Sequence, residues 1–68
     1  MENVKRKLFN KLKEFYPDRD FVIGVISNAK HPEDQQFILD FIENKKDATV
    51  EDVILLSLYL GDERDKKQ

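Results

Sequence analysis

The chain contains no cysteine, which excludes disulfide staples and thiolate-ligated metal outright. It contains one histidine, His31, and a closed structural zinc site wants several His or Cys ligands, so none is expected. Glycine occurs twice, at positions 24 and 61, too rarely to build a phosphate-cradling loop. No apolar run approaches the length of a membrane span. The opening Met1-Glu2-Asn3-Val4-Lys5 lacks the apolar core and small-residue cleavage site of a signal peptide, so a cytoplasmic location is expected. Excess charge of one sign is also missing. The net charge of −2 does not make the whole protein an electrostatic ligand for nucleic acid.

At 68 residues the chain is one domain near the lower size limit for folding without help. With disulfides and metal set aside, efficient helix packing or assembly with another chain must supply the stability. A 40% hydrophobic share is ample for a globular fold and too high for a disordered tail. Charge is unevenly distributed. Lys5, Arg6, Lys7, Lys11 and Lys13 make the start basic, whereas Glu33, Asp34, Asp40, Glu43, Asp47, Glu51 and Asp52 make the later part acidic. Attraction between these regions within the fold is the simplest expectation. Lysine outnumbers arginine, as in proteins of AT-rich bacterial genomes.

Four segments carry helical signals. Val4, Leu8, Phe9, Leu12, Phe15 and Tyr16 fall within an arc of roughly 140° at helical winding, and Pro17 ends that segment. Residues 20–29 could be a short β-branched strand. Helical winding sorts them better, gathering Asp20, Gly24, Ser27 and Asn28 on one side, with Asp18 or Asp20 as N-cap. Gly24 disfavours a helix interior, so a close backbone approach is expected there. Pro32, Glu33 and Asp34 suit a helix start, with Phe37, Ile38, Leu39, Phe41 and Ile42 as its apolar face and Lys45 and Lys46 at its end. Thr49 with Asp52 reads as a capping box opening the last helix, and Gly61 as its C-cap.

The expected fold is therefore an all-α bundle of three or four short helices over residues 1–61, with 62–68 a charged, frayed tail. Successive helices are expected to pack together because their connections are short. The alternative is a small α/β fold with residues 21–27 and 53–60 as strands, a poor arrangement because two strands leave a parallel sheet uncovered.

The last helix carries the strongest hint of function. Val53, Ile54, Leu55, Leu56, Leu58, Tyr59 and Leu60 point all around its axis, and a helix apolar all round must be covered on every side. Either the other helices enclose it in a monomer, or another chain completes the cover. If Val53, Ile54 and Leu60 fill the core, Leu55, Leu58 and Tyr59 are the candidate protein interface. Tyr59 suits one because its ring is apolar while its hydroxyl stays wet. The function expected is a protein-interaction or self-association module, forming a homodimer, without catalysis.

The remaining constellations have structural explanations. The carboxylates beside His31 belong to a helix start. Asp18-Arg19-Asp20 lacks the glycine and glutamate that a calcium loop needs, because Ile23 and Ala29 stand there. Ser27 and Ser57 have no activating histidine in sequence context. No catalytic residue, cofactor or small-molecule substrate is expected. The alternative function is a small dimeric DNA-associated regulator touching phosphates through Arg6, Lys7, Lys11 and Lys13 of the basic first helix. The acidic later helices do not suit base recognition, and no membrane attachment is expected.

Overall fold

A computed structural model describes residues 3–66. It contains four helices: α1 Val4–Phe15, α2 Arg19–Asn28, α3 Pro32–Asn44 and α4 Val50–Lys66. The fold is the all-α bundle. Among the described residues there is no strand, so neither 21–27 nor 53–60 takes the alternative conformation. Residues 21–27 are helical because winding brings Phe21, Val22 and Val25 onto one buried side.

Each helix starts where local chemistry satisfies its free amides. Asn3 caps α1, its Oδ1 accepting from the Lys5 amide at 2.9 Å. Asp18 caps α2, accepting from the amides of Asp20 and Phe21 at 2.9 and 3.2 Å. His31 occupies the cap position of α3 without a side-chain bond, and Pro32 fills the first turn. At α4 the capping box is reciprocal: Thr49 Oγ1 accepts from the Asp52 amide, and Asp52 Oδ2 from the Thr49 amide, both at 3.1 Å.

The core comprises Leu8 and Leu12 of α1, Phe21, Val22 and Val25 of α2, Ala29, Ile38, Leu39 and Ile42 of α3, and Val53 of α4. The largest helix–helix surfaces join α1 to α3 and α2 to α4. This differs from the expectation that consecutive helices would be the main partners. Helices α2 and α3 share little contact although only residues 29–31 separate them.

Two polar arrangements fasten the bundle. Gln35 is buried, and its Nε2 donates to the Ala29 carbonyl at 2.9 Å and the Lys30 carbonyl at 3.5 Å, tying α3 to the end of α2. Truncation by Gln35→Ala leaves the buried Ala29 carbonyl without this donor. The expected cost is about 1–3 kcal/mol, read as a lower urea midpoint with an unchanged slope.

The second arrangement lies in α4, within the stretch expected to be a charged tail. Helix α4 continues through Gly61 to Lys66. Gly61 has no positive φ and is therefore a helical residue, not a left-handed C-cap. The extension is held by Arg64, which donates from Nε to Asp34 Oδ2 at 3.0 Å and from Nη2 to Asp34 Oδ1 at 3.2 Å. Glu33 adds a further bond at 3.3 Å. These carboxylates, the Asp34 hydrogen bond foremost, raise the Arg64 guanidinium above its ordinary pKa, against a smaller opposing effect of desolvation. The buried carboxylate of Asp34 thus takes its partner from α4 and not from basic α1. Residues 67 and 68 of the expected tail lie outside the described residues.

Candidate protein-interaction surface

The α4–α2 contact decides which side of α4 is left outside. Val53, Ser57 and Gly61 recur every four residues and form the strip that faces inward. Ser57 is buried; its hydroxyl donates to the Ile54 carbonyl at 2.8 Å and accepts from Asn28 Nδ2 at 3.5 Å. A Cβ at Gly61 would lie 3.3 Å from the Asn28 carbonyl oxygen, so the missing side chain is what lets the end of α2 come this close. The close approach expected at Gly24 occurs at Gly61 instead. Nothing lies within 4 Å of a Cβ built on Gly24, which is exposed.

With the small residues turned inward, the bulky ones point outward. Leu55, Leu58 and Tyr59 are 63%, 50% and 61% exposed. Ile54, expected in the core with Val53 and Leu60, joins them at 38% exposure, while Leu60 is half-buried. The enclosed central helix is therefore not what forms. Positions 54, 55, 58 and 59 follow one another over two turns and make a single apolar ridge. Monomeric proteins leave scattered apolar residues exposed as a matter of course, but a contiguous ridge is a different matter. Glu51 lies one turn before it and Asp62 one turn after, the latter paired with Lys66 at 3.4 Å.

The basic residues of α1 are not gathered into one surface. Arg6 and Lys13, seven residues apart, share one flank; Lys7 and Lys11, four apart, share another, at least about 100° around the helix. Lys11 is half-buried, whereas Arg6, Lys7 and Lys13 are exposed. Between Lys5 and Lys13 on the first flank stands an exposed aromatic residue, Phe9, and the Lys13 Nζ sits 5.4 Å from its ring centroid.

A polar depression of about 410 Å³ lies where α2 ends against α4, lined in part by Lys30, His31 and Arg64. Its one buried-carboxylate partner, Arg64, is already engaged with Asp34 and Glu33, and Asp34 turns toward Arg64 instead of forming an acid–base pair with His31. Among the described residues no three His, Asp or Glu side chains converge as metal ligands, and no helix is long and apolar enough to cross a membrane. No protein-family model matches the chain, and comparison with curated proteins and with solved structures finds no significant match.

Proposed function

We propose that this is a small cytoplasmic helical protein that acts by binding protein, first of all a second copy of itself, and not by catalysis. One observation carries this reading: the ridge Ile54, Leu55, Leu58 and Tyr59 stays exposed although the core beneath it is complete. Fully burying a Leu or Ile side chain contributes roughly 1.5–3 kcal/mol. A partner covering this ridge recovers the exposed part of that contribution at each of the four positions, set against the cost of association. Tyr59 at its edge supplies a large, stiff, amphipathic contact of the kind enriched at interfaces.

Light scattering during size-exclusion chromatography tests the reading. The chain is expected to show a mass that rises with concentration toward an oligomer, and Leu58→Glu to return it to the monomer. Because Leu58 is half exposed, its far-UV circular dichroism should be unchanged. An oligomer indifferent to Leu58→Glu would remove α4 from the interface.

A further inference from the structure

We infer that the α4 ridge of one copy docks into the depression around Phe9 and Ile23 of a neighbouring copy, an inference that rests on reading α4 as an interaction surface. Phe9 and Ile23 are 40% and 47% exposed. Together they line two adjoining depressions between α1 and α2, of about 340 and 500 Å³. No residue of α4 lines either one; only Ser27 and Lys30, at the edge of the first, also border the depression that Leu58 and Asp62 line.

Charge selects the pairing. The rim of the depressions is basic, with Lys5 and Lys30 on one side and Lys13 and Arg19 on the other. Asp18 also lies on that rim, but its Oδ1 already accepts the two capping amides of α2. The ridge is flanked by acids, Glu51 before it and Asp62 after it, the latter paired with Lys66. If two α4 ridges paired with each other antiparallel about their centre, each Glu51 would meet the other copy's Asp62. In parallel pairing each acid would meet its own counterpart. Parallel pairing sets Glu51 against Glu51, and antiparallel pairing sets it against an Asp62 that already shares Lys66, so neither arrangement gives Glu51 a cation of its own as the interface loses water. Against the Phe9–Ile23 depression, the same acids meet lysine and arginine. The contact is heterologous, made between two different patches.

Complementation between two variants tests this. Leu58→Glu spoils the ridge and keeps the depression; Ile23→Glu spoils the depression and keeps the ridge. Circular dichroism first checks that both are helical. Should Ile23→Glu unfold, the rim variant Lys13→Glu with Arg19→Glu takes its place. Each variant alone is expected to run as a monomer, and their equimolar mixture to recover a species of twice the monomer mass. Association of the depression variant as strong as that of the unaltered chain would overturn the heterologous contact while leaving α4 as an interaction surface. If the variants dissociate singly yet never recombine, the same conclusion follows. An unaltered chain that stays monomeric at every concentration would overturn both this inference and the self-association on which it rests.

Discussion

Ile38→Ala is expected to lower the stability of the fold by about 2–5 kcal/mol, the cost of removing buried methyl groups and leaving a cavity behind. Ile38 is fully buried in α3, within the cluster that α1, α2 and α4 also enter. A chain of this length has only about 3–10 kcal/mol of stability in total. The variant thus loses a large share of its stability and is expected to melt well below the unaltered chain, as thermal melting followed by circular dichroism would show. Persistence of a sharp transition within a few degrees of the unaltered chain would mean that the interior rearranges to fill the gap.

The second large effect concerns the two glycines, whose substitutions should act in opposite directions. Gly61→Leu places a Cβ 3.3 Å from the Asn28 carbonyl oxygen, so that α2 must give by a few tenths of an ångström. Overpacking of this kind costs about 1–3 kcal/mol, and moving α2 also disturbs the Asn28–Ser57 hydrogen bond. Gly24→Ala meets nothing within 4 Å and removes a helix-interior glycine, so it should stabilise by about 0.5–1 kcal/mol. Urea midpoints for the two variants are expected on opposite sides of the unaltered protein. Equal shifts would mean that α2 and α4 do not approach as closely as described.

The features legible in the sequence are those written locally. Asp18, Pro32 and the Thr49–Asp52 pair mark helix starts because a cap needs only residues within one turn. What depends on residues far apart was not legible. Arg64 looks like part of a charged tail until α3 and α4 lie together and Asp34, thirty residues away, is found beside it. Gly61 reads as a stop signal when nothing says that another backbone passes there. The inward side of α4 was hidden because apolar residues surround the axis, so hydrophobicity alone does not choose a face. A signal did exist in the four-residue spacing of Val53, Ser57 and Gly61: small residues go where another helix comes closest, and the bulky ones are left outside. Reading that spacing would have moved Ile54 from the core to the ridge.

The preference of α1 for α3, and of α2 for α4, gives the bundle an interleaved order. Each half of the chain, α1 with α2 and α3 with α4, has its closest partners in the other half. A chain cut at residues 29–31 would separate both principal pairs at once, and neither fragment should keep its structure unless the other is present. The same order has a temporal side during synthesis. Helix α1 emerges well before α3, and α2 before α4, so each of the two closest pairings can form only after the later helix has been made.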